Sequence, residues 1–174
     1  MSSIDLFLLG FLNKKSISAY NLAKFVEENH LNQMIKISTP AIYKNLINLK
    51  EKGYLVSKSI KSGNMSEKMV YDITEKGKKY FRLLMEEQSQ KDFSIYFDFN
   101  SFIINLDQMN KKEAEELLNN FKKVLVQKKI LYSDYKNKFK DVPFAGKSII
   151  KQLNDVNNLI IEWLDEQKRE HNNK

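Results

Sequence analysis

The sequence predicts a mainly α-helical chain of two units, the first carrying one small β-hairpin and the second helical. Apolar residues recur at spacings of three and four over most of the 174 residues. One stretch, 54–73, instead turns β-branched and aromatic around a Gly-Asn turn signal. The regular patterning weakens at QKDFS, which places the expected boundary between 1–90 and 91–174.

Ile4, Leu8, Gly10 and Phe11 mark a first helix. Its apolar run is interrupted by Asp5 and, at nine residues, is too short to cross a bilayer, so it reads as a core helix with no membrane partner. Ser18 is a plausible N-cap for a second helix with Ala19, Leu22, Phe25 and Val26 on one face, ending near His30. Thr39-Pro40 then sets a capping hydroxyl before a proline, and proline's fixed φ and missing N–H suit the first helical position. This third helix turns Ile42, Leu46 and Leu49 inward and stops at Gly53, expected as its left-handed C′ residue. YLVSKSI (54–60), KSGN (61–64) and KMVYDI (68–73) predict a two-stranded hairpin with a basic tip. Thr74 caps a fourth helix carrying Tyr80, Phe81, Leu84 and Met85.

Helix, helix, sharply started helix, hairpin and helix is the order of a winged helix-turn-helix, and the charge agrees with it. The formal net charge is +7, with 14 basic and 9 acidic groups in residues 1–87 against 15 and 13 in residues 88–174. A basic excess in the first half favours a polyanion such as double-stranded DNA. Residues 39–52 suit a recognition helix, with a rigid apolar face behind and Lys44, Asn45 and Asn48 projecting outward. Asparagine can pair with adenine N6 and N7, and lysine can donate to guanine O6 and N7; with no arginine on this helix, an A·T-rich site is expected. Lys, Asn and Ile supply 61 residues and arginine two, a usage that points to an A·T-rich bacterial genome. Ser38 and Thr39 either cap the helix or join its first N–H groups around a phosphate. Lys58, Lys61 and Lys68, around Ser62-Gly63-Asn64, would follow the DNA backbone or enter the minor groove; a solvated lysine-rich hairpin is the plainer reading.

STPAIYKNLINLKEKGYLVSKSI (38–60), KMVYDITEKGKKYF (68–81) and ISAYNLAKFVEE (17–28) resemble, in order, the recognition helix, the wing with its Thr-x-x-Gly helix start, and the second helix of the PadR family. Ala19 stands where that family usually has Gly, and Lys68 where Arg is common. The resemblance covers residues 4–85. It implies that Tyr20, Ser38, Thr39, Tyr43 and Lys44 approach DNA and that Lys61, Asn64 and Lys68 form the wing contact. Tyr43 could instead pack in the core. It also implies a cytoplasmic homodimer that represses a nearby promoter until a small aromatic or toxic effector binds.

FSIYFDFNSFIINL (93–106) opens the second half, expected to be helical although its β propensity is also high. Asn110 and Glu113 start a clearer helix whose stripe runs Leu117, Phe121, Val124, Lys128, Leu131 and Tyr135, with Ala114 and Leu118 broadening its first turns. A second stripe follows at Ile149, Leu153, Val156, Ile160 and Trp163, widened by Leu159, Ile161 and Leu164. These predict a dimer interface, with an intramolecular helical hairpin as the alternative. A dimer would set its recognition helices about 34–36 Å apart over a palindromic site. Phe93, Tyr96, Phe97, Phe99, Phe102 and Trp163 could line an effector pocket, or belong to core or interface.

Enzyme chemistry is not legible. Two histidines far apart, no cysteine and no Gly-rich phosphate loop leave neither a triad nor a P-loop, and no cofactor is expected. Glu27, Glu28 and His30 do not have the spacing of a metal site. Absent cysteine also excludes disulfides and makes a reducing cytoplasm the natural compartment. A plasmid or nucleoid-associated winged helix, or a winged helix devoted to protein contacts, is the alternative function.

Overall fold

The computed structural model describes residues 3–60, 68–138 and 143–172. The chain divides into two compact units, Met1–Ser94 and Ile95–Lys174.

In the first unit, helix α1 (Ser3–Leu12) buries Leu8, Leu9 and Leu12. A two-residue strand β1 (Ile17–Ser18) leads directly into α2 (Ala19–Glu28). Ser18 serves both elements: it sits opposite Val70 in the sheet, and its Oγ accepts from Asn21 N at 3.2 Å, capping the helix. His30, with φ +53°, turns the chain into a short 3-10 turn, Leu31–Gln33. Helix α3 (Thr39–Glu51) follows, with Ile42, Leu46 and Leu49 facing inward as expected. Its cap is Ser38, not Thr39: Ser38 has the extended backbone of an N-cap and accepts from Ala41 N, which shifts Pro40 to the second helical position. At the other end Gly53 takes φ +74°, Gly53 N donates to Lys50 O and Tyr54 N to Leu49 O, both at 2.9 Å. That pair is a complete Schellman closure.

Strands β2 (Leu55–Ile60) and β3 (Lys68–Ile73) pair antiparallel, Ser57 opposite Tyr71. The expected two-stranded hairpin is a three-stranded sheet in the order β1-β3-β2. Its root is buried at Leu55 and Tyr71, whereas Val56, Lys58, Ser59, Ile60, Lys68 and Met69 are exposed. Helix α4 (Glu75–Gln90) starts at Thr74, whose Oγ1 accepts from Gly77 N at 3.0 Å, and buries Leu84; Met85 is exposed rather than inward.

Residues 91–97 form no regular element, and only Asn100–Ile104 (α5) and a 3-10 turn at Leu106–Gln108 are helical in the aromatic segment. The expected helix over 93–106 is thus a single short turn, in keeping with the segment's competing β propensity. Asn110 and Glu113 then form a reciprocal capping box, 3.2 and 2.9 Å, at the head of α6 (Lys111–Lys138). Helix α7 (Phe144–Asn172) packs along it.

The face buried between these two helices lies toward the broadened side of the expected stripes. It contains Ala114, Leu118, Leu125 and Tyr135 from α6, and Ile150, Asn157 and Leu164 from α7. Phe121, Ile160 and Trp163 flank the resulting cluster, while Leu117, Val124, Leu131 and Val156 stay exposed. The units differ in core: of the ten largest fully buried side chains, only Leu164 lies in the second.

Candidate nucleic-acid interface

The recognition face is built on α3, which packs on α1 and α2 and is followed directly by β2. Ile42, Leu46 and Leu49 are within 1% of complete burial, so the opposite side of the helix is held rigidly toward solvent. That side presents Pro40, Tyr43, Lys44, Ile47, Lys50 and Glu51, all exposed. Tyr43 is on this outer face and not in the core. Lys44 projects freely, whereas Asn45 and Asn48 are half-buried. The Asn45 amide donates to Ala41 O at 2.8 Å, one turn back along its own helix. Asn48 has no side-chain partner among the described residues, so its amide is not engaged within the helix as that of Asn45 is.

The N-terminus of α3 is more engaged than a phosphate site needs. Ala41 N already points to Ser38 Oγ, Pro40 has no N–H, and Thr39 Oγ1 donates to Glu27 Oε1 at 2.8 Å. This bond ties α3 to α2 and sets a carboxylate beside the helix start, so Thr39 must exchange Glu27 for a phosphate if it is to touch DNA. Tyr20 lies at the first turn of α2 and is 60% exposed.

On the wing, Lys58 and Lys68 are exposed near the ends of β2 and β3. Lys61 and Asn64 lie outside the described residues.

Ile47 escapes a reading of the sequence. Its spacing of four from Tyr43 and three from Lys44 puts it on the exposed side, but isoleucine registers by default as core.

The join of α3, wing and α4 is a compact polar knot. Thr74 N donates to Tyr54 O at 3.0 Å, and the Thr74 hydroxyl is placed to donate to Gly53 O (2.9 Å) or Tyr54 O (3.1 Å). Lys76 Nζ donates to Lys52 O at 2.8 Å and lies 5.0 Å over the Tyr54 ring. Tyr54 in turn stacks on Tyr80, ring centres 4.2 Å apart. Burial pushes the Tyr80 hydroxyl above its ordinary pKa, helped by the negative charge of Asp5.

Of the expected effector-pocket residues, Phe93 and Tyr96 are exposed, and Phe97 stacks on Phe99. Phe99 lies 6.1 Å from Trp163, and Phe102 meets Phe121 edge to face. The helical unit also holds a cavity of about 240 Å3 lined by Ile103, Leu106, Ala114, Leu118 and Trp163 with Asp107, Gln167 and Glu170. Trp163 is the one expected pocket residue that lines it. Among the described residues no cluster of three or more His, Asp or Glu side chains is set to hold a metal, and no helix is long and apolar enough to cross a membrane.

The profile of the transcriptional regulator PadR-like family matches residues 8–83. No curated protein matches the sequence. Among solved structures, Bacillus subtilis PadR in complex with operator DNA superposes with a TM-score of 0.86 at 17% identity, over 98% of this chain and 99% of that one. The same protein in complex with p-coumaric acid gives 0.80 at 15%, over 99% and 98%. The PadR-like regulator BC1756 of Bacillus cereus gives 0.74 at 17%, and the Vibrio cholerae virulence activator AphA 0.72 at 15%, each over 98% of both chains. At these identities the superpositions establish a shared fold, extending through the helical second unit.

Proposed function

We propose, from the match of residues 8–83 to the PadR-like transcriptional regulator family profile, that the chain is a sequence-specific repressor that binds a palindromic operator as a homodimer and is released by a small aromatic effector. The observation that carries this reading is the two-sided α3: one face locked in the core, the other free, cationic at Lys44 and Lys50, and carrying an Asn48 amide with no partner among the described residues. A helix so held can reach base edges in a major groove, with exposed Lys58 and Lys68 of the wing adding charge along the backbone.

The dimer rests on the helical unit. Leu117, Val124, Leu131, Val156 and Leu159 are between 36% and 64% exposed along two long helices whose internal core is thin. A second copy would cover this apolar surface, and a palindromic operator follows from the two-fold symmetry. Release by a small molecule is supported by the complex of Bacillus subtilis PadR with p-coumaric acid and by the cavity beside Trp163. Repression is the sign we propose; AphA is an activator, so a promoter-reporter assay must show expression rising when the protein is removed. Site of action is the cytoplasm, on double-stranded DNA.

The test is an anisotropy titration against the protein's own upstream region and a scrambled duplex at two salt concentrations. A preference of about a hundredfold or more for the native duplex at physiological salt supports a gene-specific regulator. Equal binding of both would favour the architectural reading, and no binding a winged helix for protein contacts.

A further inference from the structure

At the centre of the outer face of α3 an aliphatic side chain, Ile47, is 49% exposed between Tyr43 and Lys44 on one side and Lys50 on the other. Helix stability does not explain it, because a β-branched residue is a slightly poorer helix former than the straight-chain residues around it. Core packing does not explain it either, since Ile42, Leu46 and Leu49 fill the buried face. In a major groove the apolar group that a base edge offers is the C5-methyl of thymine. Ile47 is flanked by Asn48, whose amide suits adenine N6 and N7, and the helix has no arginine to grip guanine two-pronged.

We infer that Ile47 is a specificity-determining residue that packs on a thymine methyl in each half-site, making the protein select A·T pairs by shape as well as by hydrogen bonding. The inference rests on the DNA-reading role of α3 proposed above and adds a base, a chemical group and a residue to it.

The experiment separates the two claims. The full-length protein selects duplexes from a random-sequence library at physiological salt; the consensus duplex is then resynthesised with each thymine replaced in turn by deoxyuridine, which removes only the methyl. Wild-type protein should bind about fourfold more weakly at one thymine of the half-site, the effect of one buried methyl. Ile47→Ala should bind the thymine and uracil versions of that position equally, at an unaltered melting temperature, while Ile47→Val should keep most of the discrimination. Equal wild-type binding of thymine and uracil at every position, or discrimination that survives in Ile47→Ala, overturns the assignment while leaving DNA recognition intact. Failure to enrich any duplex overturns the DNA-reading role itself, and the inference with it.

Discussion

The side-chain amide of Asn157, midway along α7, donates to the main-chain carbonyl of Leu125 on α6 at 3.0 Å, and both residues are at least 96% buried. This buried amide ties α7 to α6, because separating the helices or removing the amide breaks a hydrogen bond made away from water. Asn157→Ala should therefore lower stability by about 1 kcal/mol, and Asn157→Asp by about 3 kcal/mol or more at neutral pH, where a buried carboxylate would face a carbonyl. Burial raises the carboxyl's folded-state pKa, so the Asn157→Asp deficit should shrink as pH falls. Urea unfolding at neutral and at mildly acidic pH measures both; equal deficits under the two conditions would contradict the arrangement.

Gly77 has no room for a methyl group. A Cβ there would lie 2.1 Å from Tyr54 O and 2.8 Å from Ile73 Cγ1, and the nearer atom is backbone. Gly77→Ala should cost about 3 kcal/mol, at the upper end of overpacking effects, read as a fall in the unfolding midpoint of the full chain.

Asp5 makes a contribution of definite sign to the acid limb of the stability curve, opposite to that of Glu75, whose hydrogen bond to Lys78 lowers its pKa. Partial burial raises its pKa above 3.8, with Lys52 and the chain's amino terminus opposing. The folded state thus holds this proton more tightly than the unfolded state, and Asp5 contributes most stability below pH 3.8. That contribution is lost as pH rises from there through the folded-state value. Asp5→Asn does not titrate, so the difference between wild-type and Asp5→Asn melting temperatures should move against the wild type across that interval and be flat above it. A flat difference throughout would refute the burial effect.

Lys44→Ala with Asn48→Ala should weaken binding to the native operator by about tenfold or more, the loss of about one base-reading pair, without changing the melting temperature. Lys68→Ala should instead weaken native and scrambled duplexes alike and reduce the salt slope by about 0.9 for each phosphate left unneutralised. Anisotropy at several salt concentrations distinguishes the two patterns.

The exposed apolar stripe separates assembly from folding. Val124→Asp with Leu131→Asp alters positions 48% and 37% exposed and should yield folded monomers in light scattering. Ile160→Asp strikes the cluster around Leu118, Leu125 and Leu164 and should unfold the helical unit. A folded dimer in the first variant would move the interface elsewhere.

These contrasts follow what is legible in the sequence. Caps at Ser18 and Thr74, the Asn110–Glu113 box and the left-handed Gly53 are local devices, and each is found where its residues announce it. Strand β1 is not legible, since two residues become a strand only by pairing with β3 in space. Periodicity finds Ala114, Leu118, Tyr135 and Leu164 of the buried α6–α7 face but gives no sign of Asn157, whose polar side chain carries no apolar signal. On α3 periodicity finds the buried face correctly and its spacing puts Ile47 outside, but residue type alone assigns an isoleucine to the core.

The knot at Thr74 couples parts of the first unit that would otherwise pivot separately. Residues Lys52, Gly53 and Tyr54 follow the last turn of α3, and their carbonyls receive Thr74 and Lys76 from the head of α4, where Gly77 leaves no room for a side chain against Tyr54 O. Helix α4 is thereby keyed at its head to the end of α3: the carbonyls that close one helix are the acceptors that anchor the start of the other.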